Sequence, residues 1–184
     1  MADGIRHMDE TPQQDALFDG DFAPVSKDLG FRGPVAHKVA GITYRQLDYW
    51  ARTELVVPTV RSASGSGTQR LYSFRDVLVL KIVKRLLDTG VSLQQIRTSI
   101  DHLHTRGIED LAGITLMSDG TTVYECTSPS EVIDLVQAGQ GVFGIAIGRV
   151  WREIEANLNG QPSEEMQTVS DAEDELAARR ARKA

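Results

Sequence analysis

The chain has 184 residues, 41% of them hydrophobic and 25% charged, with a net charge of −6. Such totals suit one soluble domain with appendages, or two small ones. No apolar run approaches the ~20 residues that span a bilayer, the acidic start MADGIRHMDETPQQDALFDG lacks the apolar core of a secretory signal, and the lone Cys126 excludes an internal disulfide. A cytoplasmic protein with no membrane partner is expected.

The charge is unevenly divided. Residues 1–30 carry two Lys/Arg against seven Asp/Glu, residues 31–106 twelve against five, and residues 107–184 six against fourteen. A block of net +7 thus lies between segments of −5 and −8. That asymmetry points to a polyanion-binding module held between acidic flanks, which could damp non-specific binding by occupying the basic face.

In chain order, residues 1–30 lack hydrophobic periodicity and read as a disordered acidic arm. Val35 to Gly41 reads as a short helix closed by glycine, with Val35, Val39 and Ile42 inward. Thr43 then caps a helix through Arg52 that buries Leu47, Trp50 and Ala51. Leu55-Val56-Val57 before Pro58 reads as extended, as does Gln69-Arg70-Leu71-Tyr72, and the Gly/Ser loop between them suggests a β-hairpin. Ser73 with Asp76 starts a third helix that runs on from Val77 to Leu87 and stops at Gly90. Ser92 with Gln95 forms a capping box for a fourth, whose stripe is Leu93, Ile96, Ile100 and Leu103.

A helix pair followed by a basic hairpin is a winged helix-turn-helix, expected over residues 31–106. In that arrangement the second helix enters the major groove and wing arginines reach the backbone. Arg45, Gln46, Tyr49 and Arg52 supply donors on the second helix, with Tyr44 at its first turn, and Arg61 and Arg70 bracket the hairpin. Arg75, Lys81, Lys84 and Arg85 read as a solvated helix face.

Three stretches carry a family resemblance: Gly41-Ile42-Thr43-Tyr44-Arg45-Gln46-Leu47-Asp48-Tyr49-Trp50-Ala51-Arg52-Thr53-Glu54-Leu55-Val56-Val57-Pro58, then Arg70-Leu71-Tyr72-Ser73, then Leu87-Asp88-Thr89-Gly90-Val91-Ser92-Leu93-Gln94-Gln95-Ile96. Over residues 33–106 the chain resembles a MerR-family transcriptional regulator, in a form with a short α+β C-terminal unit. The resemblance implies a homodimer on double-stranded DNA, bound to an inverted-repeat promoter operator that it bends and untwists so that RNA polymerase can engage. It also implies that Thr43, Tyr44, Arg45 and Tyr49 face DNA from the reading helix, and Arg61, Arg70 and Tyr72 from the wing region. The chain departs from the family at Asp48, usually basic, Ala51, usually acidic, and Glu54, usually glycine. Asp48 would repel phosphates and is expected instead to hold Arg45 or Arg52.

Residues 107–159 read as a small α+β dimerisation or effector unit, and residues 160–184 as a disordered tail. Asp119-Gly120 between β-formers predicts a hairpin of residues 114–117 and 121–126, and Ser128-Pro129 a helix start. Ile145 to Leu158 reads as one last helix, with Gly144 and Gly148 permitting close helix–helix approach and Ile145, Ile147 and Val150 offering a dimer seam. The GxGxxG string from Gly139 to Gly144 follows a predicted helix, so it is not read as a dinucleotide fingerprint. Cys126 reads as a small buried residue, and His102 and His104 face different ways on one helix. No metal, cofactor or catalytic residue is expected, and the effector is left unnamed. The fold class is therefore mostly α with small β. The expected function is sequence-specific transcription regulation, with an architectural or excisionase-like DNA bender as the alternative.

Overall fold

The computed structural model describes Ser26 and residues 28–62, 69–139 and 141–165. Strand β1 (Leu29–Arg32) leads into helix α1 (Gly33–Ala40), which carries Pro34 in its first turn and ends at Gly41 in the left-handed conformation. Helix α2 (Tyr44–Arg52) is followed by strand β2 (Leu71–Tyr72) and helix α3 (Phe74–Asp88). Both helices start as their sequences dictate. Thr43 and Gln46 cap α2 reciprocally, and Ser73 and Asp76 do the same for α3, so two orphan N–H groups are satisfied at each end. Helix α4 (Leu93–His104) has half of its expected box, the Ser92 hydroxyl accepting from the Gln95 N–H at 3.3 Å.

After the short helix α5 (Ile108–Leu111), strands β3 (Thr115–Ser118) and β4 (Val123–Cys126) form the expected hairpin. In its turn Asp119 accepts from the N–H groups of Thr121 and Thr122 at 2.8 and 2.7 Å, ahead of a left-handed Gly120. Helix α6 (Pro129–Gln137), strand β5 (Phe143–Ala146), helix α7 (Ile147–Leu158) and strand β6 (Glu164–Glu165) complete the order. The strands make two antiparallel sheets, β2-β1-β6 and β4-β3-β5. Among the described residues, no helix is long and apolar enough to cross a membrane.

Four features depart from expectation. Leu29–Gly30 and Glu164–Glu165, placed by sequence in the disordered arm and tail, pair as strands with each other. Residues 1–25, 27 and 166–184 of those segments lie outside the described residues. The hairpin before α3 pairs at Arg61 with Leu71, not along residues 55–57. Leu55 and Val56 are instead buried, and their N–H groups both donate to the Trp50 carbonyl as the chain leaves α2; residues 63–68 lie outside the described residues. The third departure is β5, which replaces the first turn of the expected last helix. Gly144 there lies opposite Met117 of β3, and a Cβ would stand 2.7 Å from the Met117 sulfur, so the glycine serves strand pairing. Finally, Leu93 of the expected α4 stripe is exposed.

The core is continuous. Val77, Leu78, Val79, Leu80, Ile82, Val83 and Leu86 make α3 apolar nearly all round, as befits a central helix. α1, α4 and α7 pack around it. From α7, Trp151 stacks at a tilt on Phe74 at the head of α3, ring centroids 4.8 Å apart. Residues 107–159 are therefore built into the same core as the helical block and do not form a separate globule. Ile145, Ile147 and Val150 are all buried in that core, so the dimer seam expected at them has no free surface.

The basic residues of α3, expected as a solvated face, make bonds within the chain, and so does Arg97 of α4. Arg75 donates to the carbonyls of Leu103 and Arg106 at the end of α4, and Arg97 to that of Thr53 after α2. Lys81 reaches the Val39 carbonyl near the end of α1, and Lys81 and Arg85 both pair with Glu153 of α7. Three helix C-termini thus gain cationic donors where their carbonyls lack intrahelical partners. Lys84 pairs with Asp88 one turn on.

Candidate nucleic-acid interface

The polar face of α2 is set by the burial of Leu47 and Trp50 against the core. Arg45, Tyr49 and Arg52 follow at helical spacing on the opposite side, and all three are exposed, with Tyr44 beside them at 60% exposure. The Tyr44 ring stands edge-on to His37 of α1, 5.9 Å between centroids. Thr43 and Gln46 stand at the same end of the helix, but their side chains are engaged in the cap: Thr43 Oγ1 accepts from the Gln46 N–H at 3.1 Å, and Gln46 Oε1 accepts from the Thr43 N–H at 2.9 Å.

Asp48 gathers two of the expected DNA-binding arginines, Arg52 of the reading helix and Arg70 of the wing. Its carboxylate accepts from Arg52 Nε at 2.9 Å and from Arg70 NH1 at 2.8 Å. Arg70 is the main reason the Asp48 carboxyl titrates below the ordinary carboxylate range, with Arg52 adding to it. The partners are Arg52 and Arg70, where sequence suggested Arg45 or Arg52. Among the described residues no carboxylate pairs with Arg45. An open cleft of about 280 Å³ separates the start of α1 from α2 and the wing, lined by Gly33, Tyr44, Asp48, Gln69, Arg70 and Tyr72 among others.

Arg61 holds the root of the wing. Its backbone exchanges hydrogen bonds with Leu71, its Nε donates to the Gln69 carbonyl at 3.0 Å, and its NH2 pairs with Glu164. Tyr72 does not reach the surface: only 1% exposed, it fills the space beneath the cleft, and burial pushes its phenol up to about 12 against the pull of Arg70. Sequence reasoning passed over Arg32, which ends β1 and shares Glu164 with Arg61. A basic residue directly before the Gly33-Pro34 helix start was its only local signal. Cys126 is buried, and burial, reinforced by Glu131, raises its thiol.

Glu54 explains one departure from the family pattern. It follows α2 with φ 58°, the left-handed region where a Cβ is penalised and glycine is not. Glu54→Gly is expected to stabilise the chain by about 0.5–1 kcal/mol, the left-handed cost less the entropy of glycine, and to raise Tm by about 2–3 °C in a thermal melt. An unchanged or lowered Tm would show that the turn is not strained.

The model of the MerR HTH family regulatory proteins matches residues 35–103, which run from α1 through nearly all of α4. HTH-type transcriptional regulators of Mycobacterium bovis and Mycobacterium tuberculosis are 61% identical over 172 residues, covering 92% of this chain and 76% of theirs. The HTH-type transcriptional regulator HmrR of Sinorhizobium medicae is 36% identical over 62 residues, 34% of this chain and 40% of that protein. A capped helix with exposed arginines and tyrosines, a basic wing root braced to it through Asp48, and relatives of this kind along almost the whole length lead to one assignment: the chain belongs to the MerR family of helix-turn-helix transcriptional regulators.

Proposed function

We propose that the protein binds an inverted-repeat promoter operator as a homodimer and distorts it, with α2 in the major groove of each half-site. One observation carries this reading: Tyr44, Arg45 and Tyr49 stand exposed on α2 while Leu47 and Trp50 anchor its other side. Arg45 is the base-reading residue, because Arg52 is tied to Asp48 and the cap consumes Gln46. Arg70 and Arg61 position the wing on the backbone, and Tyr72 supports them from beneath. A two-fold operator requires a two-fold protein, since each monomer offers one reading helix.

The test is recovery of genomic fragments bound by the full chain and by Arg45→Ala, with sedimentation to fix the stoichiometry. A few sharp sites sharing an inverted repeat are expected, bound by two chains. Arg45→Ala is expected to weaken them about tenfold or more, since a good base contact contributes roughly 1–3 kcal/mol of discrimination. Broad recovery indifferent to Arg45→Ala would overturn the operator reading and favour an architectural DNA bender.

A further inference from the structure

Arg32 and Arg61 come from separate parts of the chain but flank one residue. Arg32 lies opposite Leu71 in the β1–β2 ladder, and Arg61 bridges Leu71 from the other side. Cross-strand neighbours project from the same face of a sheet, so the two guanidinium groups stand above the buried Leu71. Between them sits Glu164 of β6, with one carboxylate oxygen on Arg32 Nε and the other on Arg61 NH2, the latter at 3.1 Å. Arg32 first, then Arg61, holds this carboxyl below its ordinary range. All three side chains remain open to solvent, at 53%, 46% and 32% exposure.

An anion with two oxygens held between two guanidinium groups has the chemistry of a DNA backbone phosphate. The site adjoins the cleft beneath α2, because Arg61 also donates to the Gln69 carbonyl and Gln69 lines that cleft. We propose that Arg32 and Arg61 form a backbone-phosphate site at the root of the wing, and that the Glu164 carboxylate occupies it in the free protein and is displaced when DNA binds. The proposal rests on the DNA-binding reading above and adds to it both a contact residue, Arg32, and a built-in competitor. The physical reason for displacement is simple. A carboxylate left in place would neutralise the wing cations and stand against a backbone carrying one negative charge per ~1.7 Å. Solvent exposure keeps the two ion pairs weak enough to exchange.

The experiment measures binding of the full chain to a short labelled duplex of scrambled sequence, by fluorescence anisotropy across a salt series. Glu164→Gln keeps size and shape, and is expected to tighten binding about fivefold, since each exposed ion pair lost from the free state is individually weak. Glu165→Gln removes the same charge one residue on and is expected to leave affinity unchanged. Arg32→Ala and Arg61→Ala are each expected to weaken binding and to lower the salt slope by about one. In the Arg32→Ala/Arg61→Ala background, Glu164→Gln is expected to have no further effect. A gain from Glu164→Gln that persists in that background, or no gain in the native one, would overturn the proposal, while loss of operator binding by Arg45→Ala would leave the DNA-binding reading standing. Absence of binding to any duplex by folded wild-type chain would overturn both.

Discussion

Asp76→Ala is expected to destabilise the fold by about 3 kcal/mol in urea titration at neutral pH, because it strands the buried Ser73 N–H, at a cost of roughly 1–3 kcal/mol, and also releases two part-buried donors of Thr59. Asp76 is 1% exposed, and one of its oxygens accepts from the Thr59 N–H, the Thr59 hydroxyl and the Ser73 N–H at 2.8–2.9 Å. It thereby fixes both the start of α3 and the segment that leads into the wing. Burial is the largest influence on its pKa and raises it above the ordinary 3.8, the hydrogen bonds pulling the other way. With the folded value above the unfolded one, the native state holds the extra proton. The contribution of this group to stability is therefore greatest below about pH 3.8, falls as pH rises through the window up to the raised value, and is flat beyond it. Asp76→Asn keeps an acceptor without the charge. Its stability relative to wild type is expected to improve across that same window and then level off. A relative stability that worsens with rising pH would mean that the hydrogen bonds, not burial, dominate.

Such caps were legible from the sequence because they are local. Ser73 with Asp76, Thr43 with Gln46, and Asp119 before Gly120 each declare themselves within three residues. The exposed face of α2 was legible for the same reason, once Leu47 and Trp50 fixed its inner side. What sequence did not disclose depends on distant partners. β1 exists because it pairs with β2 and, across most of the chain, with β6, and neither β1 nor β6 carries a strand pattern of its own. β5 was masked by apolar residues whose spacing continues smoothly into α7; its pairing with β3, from Ser118 opposite Phe143 to Thr115 opposite Ala146, is what makes it a strand. The positive charge of the central block was legible as a total but not in its distribution. Arg75, Lys81, Arg85 and Arg97 turn inward to helix ends and to Glu153, so the cations left for a polyanion are fewer than composition suggests.

Trp151→Ala is expected to cost about 3–5 kcal/mol, the usual loss for truncating a fully buried aromatic. The more telling result concerns what unfolds with it. Trp151 is 1% exposed on α7 and packs on Phe74, which begins the central helix of the DNA-reading block. The chain has two tryptophans, so the variant keeps Trp50 of α2 as its only indole reporter. Its fluorescence and the far-UV circular dichroism are expected to shift together to lower urea, since one core spans both regions. If Trp50 kept its wild-type midpoint while part of the circular dichroism signal melted early, the C-terminal region would be an independent unit after all. By the same argument, a fragment ending near residue 106 exposes the faces of α1 and α3 that α7 covers, and it is expected to be aggregation-prone.

The pairing of β1 with β6 has a mechanical consequence. Leu29 lies opposite Glu165 and Gly30 opposite Glu164, in antiparallel sense, so the chain enters and leaves the described fold side by side at one end of the ladder. A load pulling those two points apart meets the ladder end-on and opens its rungs singly, Leu29–Glu165 before Gly30–Glu164, with no concerted shear of the pair. In an optical trap held at residues 29 and 165, this clasp would yield first and at low force. The α3 core would then resist as a second, larger event.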